Sequence, residues 1–248
     1  MTSPAGMPPE KTPRLSIIFP AYNEEHRIGP TLREYAAHFR EAAYGPFELV
    51  VVLNGCRDDT HGVVMRVMAE APEVRMLEFA RPLGKGGAIW EGFAAARGEL
   101  LVFADADNMV RAPETERLVR ALADHDIAIA DRFGGVSEGG NQPLLRWLIS
   151  ALSRLWVRRF LGLPYRDTQC GAKAFRGGTW RTIAPRIWER GWAFDLDVLA
   201  HALATGVSVA EVPVRWRHVA EDSKVRAWID VPKTLFATFG IRRRARRA

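Results

Sequence analysis

Asp105 and Asp107 lie two residues apart and directly follow the apolar run LLVFA at residues 100–104. Alternate residues of an extended chain share one face, so both carboxylates are expected on the same side. Two carboxylates that close repel each other unless a cation lies between them. Mg²⁺ and Mn²⁺ prefer carboxylate oxygens with phosphate and water, and no nearby histidine or cysteine favours zinc. The pattern predicts a divalent metal site; the alternative is a solvated turn with a helix cap at Asp107 or Asn108.

Other polar residues stand where further strands are expected to end. They are Tyr22, Asn23 and Glu24 after the first strand, Asn54 after the second, and Asp131 and Arg132 after the fifth. In an open parallel sheet, ligands gather outside the carboxyl ends of the strands. The sequence therefore predicts one site at this edge of the sheet.

The elements that must position this site alternate along the first 135 residues. Strands are expected at 14–22, 47–55, 73–80, 99–107 and 126–132, with helices at 29–43, 58–71, 86–97 and 113–125. Near-continuous apolar strands alternating with helices predict an α/β fold with a mostly parallel central sheet and helices on both faces. The later elements are expected to be amphipathic helices at 143–162 and 228–240, a helix near 192–206 and a strand within 207–218.

The length and composition favour one sizeable globular domain. The chain has 248 residues, of which 48% are hydrophobic and 26% charged, which suits a single α/β domain. We expect a flexible N-terminal tail at 1–13, the main domain at 14–228, and an amphipathic helix with a basic tail at 229–248. Two cysteines are too few for a disulfide framework or a zinc site and suit a reducing setting. No secretory signal is recognised, and no apolar run approaches the roughly 20 residues that cross a bilayer. A cytoplasmic protein, soluble or peripheral to a membrane, is expected.

The positive charge is concentrated at the C-terminus. The formal net charge is +6, and it is about +1 without the five arginines of the ending IRRRARRA. A solvated, frayed terminus is one interpretation. The other is attachment to anionic lipid, to which each basic residue near the surface contributes about 1 kcal/mol. Nucleic acid is not expected as a partner, because no aromatic platform or reading helix accompanies the tail.

Six segments in order resemble family 2 glycosyltransferases, and among them the enzymes that act on polyprenyl phosphates such as dolichyl phosphate. The segments are SIIFPAYNEE, GKGGAIWEG, FADADN, DTQCGAKAF, WAFDLDVL and EVPVRWRHVAEDSK, from about residue 15 to 225. The resemblance implies the GT-A fold, a nucleotide-sugar-binding α/β sandwich. It also implies inverting transfer of a sugar, first of all glucose from UDP-glucose, to a polyprenyl or dolichyl monophosphate. Mg²⁺ or Mn²⁺ would be the cofactor, and the enzyme would sit at the cytoplasmic face of a membrane.

The resemblance also assigns the donor side of the site. Its nucleotide-sugar-binding residues are Pro20, Ala21, Tyr22, Glu24, Asn54, Lys85, Asp105, Ala106 and Asp107. Asp107 is the main metal ligand, Asp105 contacts the ribose or the metal, and Asp195 approaches the donor sugar; Asp107 and Asp195 are the catalytic residues. The structural alternatives are a helix N-cap for Asp195 and a loop cap for Lys85.

The acceptor side is implied in the same way. Its phosphate- and acceptor-binding residues are Arg132, Arg146, Ser150, Gln169, Lys173, Ser223 and Lys224. Arg146 and Ser150 are four residues apart on one helix, hence on one face, and the guanidinium fork matches a phosphate. The alternative is a surface arginine and a buried serine.

Two departures from the family pattern bear on the substrate. Asn54 stands where the family carries an acid, and an amide still donates and accepts hydrogen bonds. Met109 stands where a mannose synthase often has glutamine, which favours the glucosyl enzyme. Mannosyl transfer from GDP-mannose, transfer to a soluble or polysaccharide acceptor, and a non-catalytic nucleotide-binding relative stay open as alternatives.

Overall fold

One seven-stranded sheet organises the part of the chain that is described. The computed structural model describes residues 12–42, 44–138, 144–217 and 227–247, and within them all side chains except those of 138, 144–150, 227 and 228. The strands are β1 (Leu15–Ala21), β2 (Phe47–Asn54), β3 (Val74–Phe79), β4 (Leu100–Ala104), β5 (Ile127–Glu138), β6 (Ala172–Arg176) and β7 (Val209–Arg217). Their spatial order is β3-β2-β1-β4-β6-β5-β7.

The predicted mostly parallel sheet is confirmed, with one strand that the sequence did not reveal. β6 runs antiparallel to both of its neighbours, β4 and β5, whereas the other adjacent strands are parallel. β6 has only five residues, too few for a clear apolar period, and it contains the buried cation Lys173. Its pairing with β4 and β5 therefore depends on contacts far apart in sequence.

Helices cover both faces of the sheet, as predicted. They are α1 (Ile28–Glu41), α2 (Thr60–Glu70), α3 (Lys85–Ala95), α4 (Ala112–Ala121), α5 (Leu144–Leu161), α6 (Gly177–Ile183), α7 (Phe194–Ala204) and α8 (Ala227–Ala245). α1, α2 and α4 pack their apolar side chains on one face, and α3, α6 and α7 pack on the other. All eight residues of β2 are buried, as a strand covered on both faces requires.

Three of the five C-terminal arginines, Arg242, Arg243 and Arg244, belong to a helix that contacts the body, which corrects the frayed-terminus interpretation for this part of the tail. α8 continues to Ala245. The guanidinium of Arg242 lies 4.6 Å from the centre of the Phe160 ring. Arg244 donates to Glu189 Oε1 at 3.1 Å and also approaches the carboxylate of Asp197. Part of the positive charge is therefore used within the fold. Among the described helices, none combines the length and apolar character that crossing a membrane requires.

Candidate functional site

A cavity of about 830 Å³ lies at the carboxyl ends of β1, β2 and β4. Twelve of the residues predicted from the sequence line it: Pro20, Ala21, Tyr22, Glu24, Asn54, Lys85, Asp105, Ala106, Asp107, Arg132, Gln169 and Asp195. The parallel strands β1, β2 and β4 bring their carboxyl ends to one edge, so residues far apart in sequence meet there.

The two acids after β4 sit at the rim of this cavity. The backbone N–H of Asp105 donates to the carbonyl oxygen of Gly171 at 2.9 Å. A Cβ at Gly171 would lie 1.9 Å from Asp105 Oδ2, so only glycine fits against this carboxylate. Asp107 Oδ1 accepts a hydrogen bond from the N–H of Met109 at 3.1 Å. Burial, and then the negative charge of Asp105, raises the pKa of Asp107. The repulsion expected from the sequence is thus present.

Lys85 supplies a cation beside the acids. Its Nζ lies 2.8 Å and 3.0 Å from the two carboxylate oxygens of Asp105. Burial alone would lower the pKa of Lys85, but the negative charges of Asp105 and Asp195 outweigh burial and raise it. The ammonium group therefore pairs with the site's carboxylate instead of capping its own loop. The contact shows that the part of the cavity next to Asp105 has room for a positively charged group.

Asp105 and Asp107 suit a hard divalent cation. Carboxylate oxygens are the ligands that Mg²⁺ and Mn²⁺ prefer. The ammonium group of Lys85 already places one positive charge next to Asp105. Within the described ranges, no group of three or more histidine, cysteine, aspartate or glutamate side chains could hold a metal ion. The two acids therefore fit a hard divalent ion that keeps further oxygen ligands from outside this pair.

Asn54 holds the loop that leads to Lys85. Its Oδ1 accepts from the N–H of Leu83 at 2.6 Å, and its Nδ2 donates to the carbonyl oxygen of Gly84 at 3.2 Å. Gly84 has φ = 81°, and a Cβ there would lie 2.4 Å from the carbonyl oxygen of Arg190. A carboxylate cannot donate to Gly84, so an amide suits this loop at the position where the resemblance implies an acid.

Asp195 enters the cavity from the first turn of α7. The N-cap position belongs to Ala193, so Asp195 is not the cap that the alternative required. Its Oδ1 lies 2.5 Å from the Nζ of Lys173. Lys173 is fully buried and does not line the cavity. Its ammonium donates to Asp195 and to the carbonyl oxygen of Cys170, so the structure does not bring it to the cavity, and its direct contact with the acceptor stays a prediction.

Arg132 reaches the cavity from within β5, at the irregularity between Asp131 and Val136, so the expectation that Asp131 and Arg132 follow the fifth strand is wrong: pairing with β7 resumes at Val136 and the strand continues to Glu138. Arg132 donates to Asp167 through Nε at 2.6 Å and through a terminal nitrogen at 2.9 Å. Burial would raise the pKa of Asp167, but the charge and hydrogen bonds of Arg132 outweigh it and lower the pKa. Gln169 lines the same region and donates to the carbonyl oxygen of Trp192 at 3.4 Å.

Four predicted acceptor residues cannot be compared with the structure. Arg146 and Ser150 belong to α5, but their side chains lie outside the described part. Ser223 and Lys224 also lie outside the described residues. Their roles stay predictions.

Several lining residues were missed by sequence reasoning. They are Arg27, Pro82, Gly84, Met109, Val110, Ser153, Val157, Cys170, Gly171, Trp192, Asp230, Val231, Thr234 and Leu235. Ser153 and Val157 follow Ser150 at helical spacing, so the period of α5 was a usable signal. For the α8 residues no local signal exists, because only the packing of α8 against the body brings them to the cavity.

An exposed apolar surface adjoins the cavity. We define the α5/α8 apolar surface as Leu152, Leu155, Trp156, Ile229, Phe236 and Phe239. Phe236 is 79% exposed, and Leu152 and Leu155 are each 58% exposed. Large exposed apolar patches mark interaction sites in soluble proteins. Both helices also line the cavity, so this surface and the site share the same two elements.

Comparison with known sequences identifies relatives over most of the chain. The sequence model of the family described as "Glycosyl transferase family 2" matches residues 16–181. Dolichyl-phosphate beta-glucosyltransferase of Drosophila melanogaster is 33% identical over 239 residues, which cover 90% of this chain and 73% of that protein. The human protein of the same name is 31% identical over 235 residues, covering 88% of this chain and 71% of its own length.

Solved structures share the fold. Glucosyl-3-phosphoglycerate synthase of Mycobacterium tuberculosis in complex with UDP superposes with a TM-score of 0.69 at 19% identity, covering 93% of this chain and 80% of that one. A second complex of that enzyme, with Mn²⁺, UDP and glucosyl-3-phosphoglycerate, has a TM-score of 0.65 at 20% identity and the same coverage of both chains. The GT-A architecture expected from the resemblance is confirmed.

Proposed function

Because the chain belongs to glycosyl transferase family 2, we propose that it transfers glucose from UDP-glucose to a dolichyl or other polyprenyl monophosphate, with inversion of the anomeric centre. Relatives that carry the name dolichyl-phosphate beta-glucosyltransferase support this acceptor and sugar. The observation that carries the proposal is the cavity itself. It joins a rim of acids at the sheet edge to the fixed Arg132 and to apolar side chains of α5 and α8.

The donor would occupy the sheet side of the cavity. Tyr22, Glu24 and the loop held by Asn54 would contact the nucleoside, and Asp195 would contact the sugar. Asp105 and Asp107 would hold Mg²⁺ or Mn²⁺, which neutralises charge on the leaving diphosphate when bound. Lys85 would add a further positive charge on the same side, since its raised pKa keeps it protonated at neutral pH.

The transfer step needs little proton chemistry. A phosphate monoester has a second pKa near 6, so the acceptor is mostly dianionic at neutral pH. One of its oxygens would donate an electron pair to the anomeric carbon from the face opposite the diphosphate. The bond from that carbon to the diphosphate oxygen breaks, and its electron pair stays on the diphosphate. No general base is required, so the task of the side chains is to bring two anions together.

Arg132 would attract the acceptor phosphate. The Asp167 carboxylate holds its guanidinium from one side, which fixes the orientation of the cation before the acceptor arrives. The polyprenyl chain would lie against the apolar lining contributed by Val157, Val231 and Leu235. It would leave the cavity between α5 and α8, where the α5/α8 apolar surface would meet the membrane at its cytoplasmic face.

A substrate screen tests this proposal. Purified full-length protein is offered UDP-glucose or GDP-mannose, each with a polyprenyl monophosphate or with a soluble phosphorylated or polysaccharide acceptor, and with Mg²⁺ or Mn²⁺. We expect a glucosylated lipid phosphate of inverted configuration only with UDP-glucose, the lipid acceptor and a divalent cation. A mannosylated lipid would replace the proposed donor, and a glycosylated soluble product would replace the acceptor. Nucleotide binding without any transfer would identify a non-catalytic relative.

A further inference from the structure

The carboxylate of Asp195 faces two different surroundings. Its Oδ1 is bound by the ammonium group of Lys173 at 2.5 Å. Its Oδ2 accepts no hydrogen bond from any group within the described residues. Oδ2 is not one of the fully buried polar atoms that lack a hydrogen-bond partner. Asp195 also lines the cavity. One oxygen is therefore anchored within the protein, and the other is left for a ligand in the cavity.

Lys173 is enclosed below the cavity. Its side chain has no solvent-exposed area, and β6 places it between β4 and β5. The Nζ donates to the carbonyl oxygen of Cys170 at 2.9 Å and lies 5.4 Å from the centre of the Phe103 ring. A buried ammonium group is tolerated only with an anion and hydrogen bonds beside it. Asp195 Oδ1 and the carbonyl oxygen of Cys170 supply these partners.

The two lysines near the cavity have different access. The Phe103 ring lies close to both, at 5.4 Å from Lys173 Nζ and 5.9 Å from Lys85 Nζ. Lys85 lines the cavity and can contact a substrate directly. Lys173 does not line the cavity, so an effect of its charge on the reaction would act through Asp195.

We propose that Lys173 is a positioning residue for the donor sugar: it anchors Oδ1 of Asp195, so that Oδ2 faces the cavity and accepts hydrogen bonds from hydroxyl groups of a hexose. This rests on the proposed function of the cavity. Hydrogen bonds to an ionised carboxylate are roughly twice as strong as those between neutral groups. Without the ammonium group, the carboxylate would be free to turn, and the sugar hydroxyls would lose an acceptor in a fixed position. The nucleoside diphosphate part of the donor would be affected little.

The test compares Lys173→Met, Asp195→Asn and the double variant Lys173→Met/Asp195→Asn with the wild type. UDP-glucose and UDP are titrated separately by calorimetry, and kcat and KM for the donor are measured. The double variant replaces the buried ion pair by two neutral groups, so it is expected to fold even where Lys173→Met is unstable. Arg33→Met is the matched control, because it breaks an exposed ion pair with Glu70 on the outside of the molecule.

We expect Lys173→Met to lower donor kcat/KM by about 10- to 100-fold, as loss of a group that orients a binding residue does in other sites. UDP affinity should stay within about twofold of wild type. The double variant should be no less active than Asp195→Asn alone, because the lysine acts only through the acid. Three results would overturn the proposal. One is an equal loss of UDP and UDP-glucose binding, and another is wild-type kinetics in Lys173→Met. The third is a double variant whose kcat/KM falls by the product of the two single-variant losses. If the wild type transfers no sugar, the proposed function fails; the difference between UDP-glucose and UDP binding still tests Lys173.

Discussion

At the scale of single residues, the cavity rim concentrates negative charge in the ligand-free protein. Asp107 is held near Asp105 in partly buried surroundings, and both effects raise its pKa. Ionisation of Asp107 therefore costs more in the folded protein than in water. Lys85 relieves part of this repulsion through its contact with Asp105. Such a site favours binding of a divalent ion because it is destabilised without one.

Asp107→Asn should separate activity from stability. We expect transfer to fall by about 100-fold or more, because charge on the leaving diphosphate is no longer neutralised, and Mn²⁺ binding to weaken in calorimetry. The metal-free variant should unfold at a higher temperature than the wild type at pH 7. Because the folded pKa of Asp107 is raised, the ionised carboxylate lowers the stability of the folded wild type above that pKa. This loss of stability is relieved as pH falls through the folded pKa. The difference in unfolding temperature should therefore shrink in acid; full activity in the variant would remove Asp107 as a metal ligand.

Gly171→Ala should displace Asp105. The added Cβ would lie 1.9 Å from the carboxylate, so the acid or the backbone must move, and an ångström of displacement can cost about 100-fold in rate. Gly178→Ala is the matched control, since a Cβ there meets nothing within 4 Å. We expect kcat/KM to fall only in the first variant. Similar kinetics in both would show that the close contact does not position the acid.

At the scale of elements, the buried carboxylate of Glu48 connects the first residues of neighbouring strands, at the edge of the sheet opposite the cavity. Glu48 of β2 accepts from Ser16 Oγ of β1 at 2.5 Å and from Arg75 Nε of β3 at 2.6 Å. It also accepts from the backbone N–H of Arg97, before β4, at 2.7 Å. One carboxylate thus connects β1, β2 and β3 with the turn before β4, the strand that Asp105 follows.

Glu48→Gln should destabilise the fold in a pH-dependent way. Burial would raise the pKa of Glu48, but the hydrogen bonds from Arg75, Ser16 and Arg97 outweigh it and lower the pKa. A lowered carboxyl pKa contributes stability that is present above the unfolded value of about 4.3 and is lost as pH falls through the folded pKa. We expect a loss of about 3 kcal/mol at pH 7 in urea unfolding, decreasing below about pH 4. An equal loss at every pH would assign the effect to packing instead of charge.

At the scale of the whole molecule, the exposed apolar side chains are concentrated on the two helices that close the cavity. The α5/α8 apolar surface lies beside Arg242, whose guanidinium covers Phe160, and beside the exposed Arg243. Aromatic and leucine side chains with arginines nearby suit the boundary between headgroups and acyl chains. Under the proposed function, a lipid acceptor would reach the cavity without leaving the membrane.

Phe236→Asp should weaken binding to vesicles that contain anionic lipid. Burying one phenylalanine contributes about 1.5–3 kcal/mol, so vesicle partitioning should fall by about tenfold or more. Met65→Asp is the control, because Met65 is also exposed, at 48%, but lies on α2 over the opposite face of the sheet. Vesicle flotation compares the two variants. Equal binding by both would show that this surface does not meet the membrane.

Local patterns in the sequence were enough to predict the α/β class and the acids at the strand ends. Apolar runs and helical periods are local, and parallel strands necessarily align their carboxyl ends. The position of Asp105 at the same edge as Tyr22 and Asn54 therefore follows from the sequence alone. The family resemblance added the expectation for Asp195, which the structure places in the cavity.

Only the tertiary structure decided which charged groups face the cavity and which are enclosed. Lys173 and Lys85 are both lysines next to glycine-containing segments, yet one is enclosed by β6 pairing and the other lines the site. The five residues of β6 carry no period of their own, and the closure of the cavity by α8 depends on packing against α5 and α7. Burial and charge pairing arise from contacts between distant segments, and local sequence patterns do not contain that information.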